Sequence, residues 1–180
     1  VTQRAKTLKY GDPNELKNVI GPVINAQQRQ DIEKKIFQAI QEGARITCSG
    51  ATQGNVIPPH IFADVDPDSA LAREETFGPV LPIIKARDEA HALELANATD
   101  FGLSSSVYTR SLERGIRFAQ GIEAGMTHVN NMSIADHPHA PFGGEKNSGL
   151  GRFNGRWILE EFTRTHWVTV QDQGTAHYPL

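Results

Sequence analysis

The feature that most constrains this chain is an alternation of two periodicities. Ile32, Ile36 and Ile40 recur every four residues with Phe37 beside them, which marks one apolar stripe on a helix of about four turns. Asn25 stands where a cap belongs, with Ala26-Gln27-Gln28 as the first turn, and Gly43 stops the helix. Arg45-Ile46-Thr47-Cys48 then reads as a short strand with Ile46 and Cys48 on one face. After a loop rich in Gly and Pro over 49–59, His60-Ile61-Phe62-Ala63 and Val80-Leu81-Pro82-Ile83-Ile84 read as further strands. The same exchange continues. Asp88 caps a helix through Asn97 with Leu93 and Ala96 inward, and 104–109 is a strand. Ser111 caps a helix on which Leu112, Ile116 and Ala119 share a face, and 126–130 is again a strand. Residues 154–162 look helical, and Trp167-Val168-Thr169-Val170 is a last strand. Strands interleaved with helices argue for an α/β layered domain with a largely parallel sheet and right-handed crossovers.

At 180 residues the chain suits one domain with a real core. Charge is mixed, with a formal net of -3, which gives no electrostatic case for nucleic acid or an anionic membrane as partner. No run of about eighteen apolar residues is present, and the N-terminus lacks a secretory apolar region. The single cysteine excludes an internal disulfide framework and fits a cytoplasmic, reducing setting. Val1 to Leu8 reads as the end of a helix already under way, so the start is expected to be a truncation or an internal boundary. No internal repeat or low-complexity tract interrupts the chain.

The chemistry-bearing residues are few. Glu74 and Glu75 precede Thr76-Phe77-Gly78-Pro79-Val80. On extended backbone they point to opposite faces, which argues against an acid/base dyad and leaves one to reach a ligand while the other is solvated. A carboxylate accepts two hydrogen bonds from a ribose diol, and Phe77, on the side of Glu75, suits a nicotinamide. Two surface glutamates before a Gly-Pro turn would read the same way. Gly143-Gly144-Glu145-Lys146-Asn147-Ser148-Gly149-Leu150-Gly151 lacks the residue order of a phosphate loop and of a dinucleotide fingerprint, so its glycines are expected to serve backbone geometry. Cys48 lies beside Ile46 with nothing around it to activate a thiolate, and reads as a packing residue. His128, His137 and His139 have no ligand spacing with Cys or Glu, so no metal site is expected. The terminal run Thr165 to Gln171 alternates and carries a Trp. It is either an edge strand of its own sheet or a strand that pairs with another edge.

Several segments, in order, carry a family resemblance: Ile20-Gly21-Pro22-Val23-Ile24-Asn25, Glu74-Glu75-Thr76-Phe77-Gly78-Pro79-Val80 and Phe101-Gly102-Leu103-Ser104-Ser105-Ser106-Val107. Ala124-Gly125-Met126-Thr127-His128-Val129-Asn130, Pro141-Phe142-Gly143-Gly144 and Ser148-Gly149-Leu150-Gly151-Arg152 follow. Together they resemble the C-terminal part of an aldehyde dehydrogenase, and the run from His139 to Phe153 looks nearest to the benzaldehyde and vanillin dehydrogenase branch.

That resemblance implies a three-layer α/β/α catalytic domain, partial over 1–164, a terminal oligomerisation strand at 165–172 and a tail at 173–180, with the cofactor-binding domain absent. It implies that Glu75 binds the nicotinamide ribose, that Phe77 contacts the nicotinamide end, and that Met132, Ile134 and Phe142 wall an aldehyde pocket. The nucleophilic cysteine, the general-base glutamate and the oxyanion-hole asparagine of the family belong upstream of Val1, so no catalytic residue is expected within the chain. The implied parent oxidises an aldehyde to the acid through a cysteine thiohemiacetal, with NAD rather than NADP as the commoner family cofactor, and forms a homo-oligomer through the terminal strand. The 180-residue piece is expected to be inactive alone and to hold no cofactor tightly. A noncatalytic, self-associating module is the other reading, because loss of a neighbouring domain uncovers apolar surface.

Overall fold

Helix α2 (Ala26–Gln41) is the longest element and organises what surrounds it. The Asn25 side chain accepts from the Gln28 amide at 2.8 Å, as a cap should. The computed structural model describes residues 1–172 and 174, which fall into two compact units.

The first unit comprises Val1–Asp100 with Gln120–Glu123. Besides α2 it holds α1 (Thr2–Lys6), β1 (Arg45–Cys48), β2 (His60–Ala63), α3 (Ala70–Arg73), β3 (Val80–Ile83) and α4 (Glu89–Asn97). The sheet order is β1-β2-β3, antiparallel between β1 and β2 and parallel between β2 and β3. Central strand β2 is apolar on both faces, as a strand covered on both sides must be. Phe62, fully buried, joins Ala39 of α2 and Leu71 of α3, while its neighbour Ile61 joins Ala5 of α1 and Cys48 of β1. Alternate side chains of one strand therefore feed two clusters with helices on opposite faces, the layered arrangement expected.

The second unit comprises Phe101–Ala119 and the described residues from Ala124 onward. β5 (Ser104–Val107) and β6 (Met126–Val129) form a parallel ladder joined through α5 (Leu112–Gln120). Gly115 of α5 sits hard against β6: a Cβ there would lie 2.8 Å from Val129 Cγ1. β4 (Phe101–Gly102) pairs antiparallel with β7 (Glu145–Lys146), and α6 (Trp157–Phe162) follows.

The α/β class and the positions of most elements agree with the sequence reading; the described strands form one three-stranded sheet in the first unit and two two-stranded sheets in the second, with two parallel and two antiparallel ladders among them. The stripe on α2 is also different. Ile32 and Ala39 are buried and Ile36 packs on the core, whereas Ile40 and Phe37 are exposed. At about 100° per residue, Ile40 lies about 80° round from Ile32, while Ala39 is almost in line with it. Ile46 is exposed and Cys48 buried, because a register shift between them breaks the alternation of β1. Ala96 is exposed instead of inward, and on α5 Leu112 and Ile116 of the shared apolar face are exposed while Gly115 is buried. α6 starts at Trp157 because Asn154 (φ 69°) and Gly155 (φ 49°) are left-handed. Residues 165–172 belong to none of the sheets. The tail assigned to 173–180 lies outside the described residues except for Gly174. Among the described residues, no helix is long and apolar enough to cross a membrane.

Candidate functional site

In the first unit, the loop between α3 and β3 lies on α2. Gln28, Ile32 and Lys35 are spaced i, i+4, i+7 and so share one helix face. Each takes a different point of the loop. Gln28 Nε2 donates to the Thr76 carbonyl at 2.9 Å, and Lys35 Nζ donates to the Glu75 carbonyl at 2.8 Å. Ile32 packs over Gly78, where a Cβ would lie 2.6 Å from Ile32 Cδ1, so only glycine lets the loop come this close. Phe77 has φ of 47°, a conformation that costs a bulky residue about 1–3 kcal/mol and persists where the surroundings over-determine it. Here the three α2 side chains supply that constraint.

The two adjacent glutamates have different surroundings. Lys35 Nζ also lies 2.9 Å from Glu74 Oε2, with the lysine side chain only 19% exposed. Glu75 is exposed, and among the described residues its carboxylate has no hydrogen-bond or ion-pair partner. Phe77 presents 77% of its surface. Both residues line a depression of about 420 Å³ with Gln28, Lys35, Glu74 and Thr76. An acceptor-only carboxylate left unengaged beside an exposed ring fits a vicinal diol joined to a flat heterocycle. Gln28 and Lys35 were not anticipated from the sequence, because the contacts that matter join residues far apart in the chain.

In the second unit, a cavity of about 370 Å³ is lined by Leu103, Ser104, Met126, Ile134, Asp136 and Phe142 among others. Of the three residues expected to wall an aldehyde pocket, Ile134 and Phe142 are brought together there. Met132 is exposed and does not line the cavity. Serines of β5 hold one arm of the loop: Ser104 Oγ donates to the Ser133 carbonyl at 2.5 Å, and Ser106 Oγ to the Asn131 carbonyl at 2.9 Å. Phe142 is fixed by reciprocal backbone bonds with Phe153, at 3.0 and 2.7 Å. Arg152 binds the Gly144 carbonyl at 3.0 Å and pairs with Glu145. Leu103, between β4 and β5, and Met126, the first residue of β6, join this wall and were not singled out for it in the sequence.

Cys48, the sole cysteine, is unpaired and buried against Ala5 and Ile61. His137 and His139 are exposed, and no group of three or more His, Cys, Asp and Glu that would hold a metal ion occurs among the described residues.

Residues 1–168 match the Aldehyde dehydrogenase family. Vanillin dehydrogenase of Corynebacterium glutamicum is 47% identical over 169 residues, which is 94% of this chain and 35% of that enzyme. The crystal structure of a salicylaldehyde dehydrogenase from Pseudomonas putida G7 complexed with salicylaldehyde superposes with a TM-score of 0.93 at 36% identity, covering 99% of this chain and 37% of the other. That of Mycobacterium tuberculosis aldehyde dehydrogenase complexed with NAD+ gives 0.86 at 41% identity, covering 91% and 35%. The chain belongs to the aldehyde dehydrogenase family. It spans about a third of the length of these relatives.

Proposed function

We propose that this chain is the part of an NAD(P)-dependent aldehyde dehydrogenase that holds the nicotinamide end of the cofactor and walls the aldehyde pocket. The whole enzyme converts an aldehyde, the oxidised cofactor and water to a carboxylic acid, the reduced cofactor and a proton, through a thiohemiacetal on a cysteine other than Cys48. The bound nicotinamide supplies the hydride acceptor. Glu75 accepts the ribose hydroxyls, Phe77 packs on the ring end, and Ile134 and Phe142 give the apolar wall for a flat, aromatic aldehyde. NAD is the preferred cofactor, in line with the NAD+ complex of the tuberculosis relative, and NADP is the alternative.

One observation carries the reading. Of two adjacent carboxylates, Glu74 is taken by Lys35 and Glu75 is left unengaged beside an exposed aromatic ring. The aromatic substrate is supported by likeness to a vanillin dehydrogenase and to a salicylaldehyde-bound structure. In the full-length enzyme, Glu75→Gln is expected to raise the cofactor KM or slow hydride transfer by roughly tenfold or more, with the thermal midpoint unchanged. Unaltered kinetics would reduce Glu75 to a surface carboxylate.

The 180-residue piece, assayed alone, is expected to show no turnover and no tight cofactor binding, since its sole thiol is buried. An unpaired buried cysteine suits a reducing compartment, which supports reading the enzyme as cytoplasmic.

Residues 165–172 are read as a strand that pairs with a second copy. Trp167 and Val170 are 87% and 88% exposed on a stretch that joins no sheet of its own. The same exposure favours self-association as the behaviour of the isolated piece. Light scattering on the piece with and without residues 165–180 tests this, and an unchanged mass would remove the strand from the interface.

A further inference from the structure

We propose that Lys35 is a positioning residue for cofactor binding. It sets where Glu75 and Phe77 project and leaves Glu75, rather than Glu74, as the carboxylate available to a ribose diol. The proposal rests on the reading of Glu75 as a ribose ligand and adds a residue to it.

The geometry is specific. One ammonium group makes two contacts in the same loop, to the Glu75 carbonyl at 2.8 Å and to the Glu74 carboxylate at 2.9 Å. An ammonium has three donors and no acceptor, so both contacts are made at once. The first fixes the peptide that follows Glu75, and hence the direction of its side chain. The second occupies the adjacent carboxylate of the same loop, which would otherwise compete for the same hydroxyls; Asp31, which also lines the depression, accepts from Gln27 at 3.0 Å. The lysine side chain is mostly withdrawn from water while Glu74 is 61% exposed, so the charge is held on the loop and not offered to solvent. Ile32 and Gln28 flank Lys35 on the same α2 face and grip Gly78 and Thr76. Removing Lys35 therefore leaves the loop attached at its C-terminal end while freeing the end that carries the glutamates. With its carboxylate side open to solvent, the pair contributes only about 0–1 kcal/mol to stability. Positional error of an ångström at a ligand costs far more in rate than in fold.

The test is steady-state kinetics on the full-length enzyme with NAD and benzaldehyde, protonated or deuterated at the formyl carbon. Lys35→Met is expected to raise the NAD KM roughly tenfold, to leave the aldehyde KM within about twofold, and to raise the isotope effect on kcat as hydride transfer becomes slower. Lys35→Arg, which keeps the charge and a donor, is expected to return the NAD KM to within about threefold of wild type. Glu75→Gln is run alongside. If Glu75→Gln changes nothing, the reading of Glu75 fails. If it impairs NAD kinetics while Lys35→Met matches wild type, or if both KM values rise together, the positioning role fails. Should Lys35→Met not fold, Lys35→Gln is measured in its place. Failure of both to fold would make Lys35 a structural residue and overturn the proposal.

Discussion

The loop that carries Glu75 and the loop that carries Phe142 are gripped by different means. In the first, side chains of α2 reach out to hold backbone: Gln28 and Lys35 by hydrogen bonds, Ile32 by packing over Gly78. In the second, the base of the loop is backbone packed on backbone. A Cβ on Gly125 would fall 1.7 Å from the Gly143 carbonyl oxygen, and one on Gly143 would fall 2.3 Å from that of Gly151. Side chains change rotamer at modest cost, whereas a close-packed main chain yields only by moving whole segments. The Glu75 loop is thus adjustable by substitution in its supporting helix, and the base of the Phe142 loop is not.

The largest expected effect tests the backbone side of that contrast. Gly125→Ala in the full-length enzyme is expected to cost about 3 kcal/mol of stability, at the top of the usual range for overpacking, because the obstacle is a carbonyl that cannot be trimmed. Thermal or denaturant unfolding measures it. A variant as stable as wild type would show that this base gives way easily and would erase the distinction.

The side-chain grip makes the next prediction. Gly78→Ala is expected to cost about 2 kcal/mol, since Ile32 is nearly fully buried and has little room to retreat. Ile32→Val removes Cδ1, the atom nearest the new methyl, for about 1 kcal/mol on its own. The double variant should therefore be more stable than the sum of the two costs allows, a coupling of about 1 kcal/mol. Strict additivity would mean that Ile32 and Gly78 are not the pair that sets the spacing of the loop.

The same contrast decides what was legible beforehand. Caps are local, and Asn25 and Asp88 sit where the sequence put them, each accepting from the amide three residues on. Periodicity was a weaker guide. It pointed to Ile32, Ile36 and Ile40, but a helix advances past a four-residue repeat, and the buried partner turned out to be Ala39. The short pair β4–β7 and the register shift in β1 depend on which segment arrives alongside, which no local pattern records. The family motifs drew attention to Glu75, Phe77, Ile134 and Phe142. They were silent about Lys35 and Gln28, whose roles exist only once α2 lies under the loop. Met132 and Ile134 were grouped because the resemblance puts the loop that carries both at the pocket, yet of the two Ile134 lines the cavity.

That last difference gives a graded kinetic test of the proposed aldehyde wall. For an aromatic aldehyde in the full-length enzyme, Phe142→Ala is expected to raise KM roughly tenfold and Ile134→Ala roughly threefold, as expected for loss of apolar contact. Met132→Ala should change it less than about twofold. The order matters more than the values. An effect of Met132 larger than that of Phe142 would mean that the loop over 131–136 closes differently around substrate.

The smallest expected effect concerns Cys48, where both loops can be set aside and the question is only whether the thiol takes part in chemistry. Cys48 packs between Ala5 and Ile61 on the face of β2 opposite Phe62, and its sulfur is enclosed by hydrocarbon. At 5% exposure the sulfur is closed to an incoming aldehyde, and a nucleophile must be accessible. Cys48→Ala should therefore leave kcat and both KM values of the full-length enzyme within about twofold, while lowering stability by about 1 kcal/mol for the lost sulfur contacts. Serine at the same position should be less stable than alanine, because its hydroxyl would enter the cluster with no partner. Loss of turnover in a Cys48→Ala variant with an unchanged unfolding midpoint would contradict the assignment of this residue to packing, and with it the proposal of a nucleophilic cysteine elsewhere.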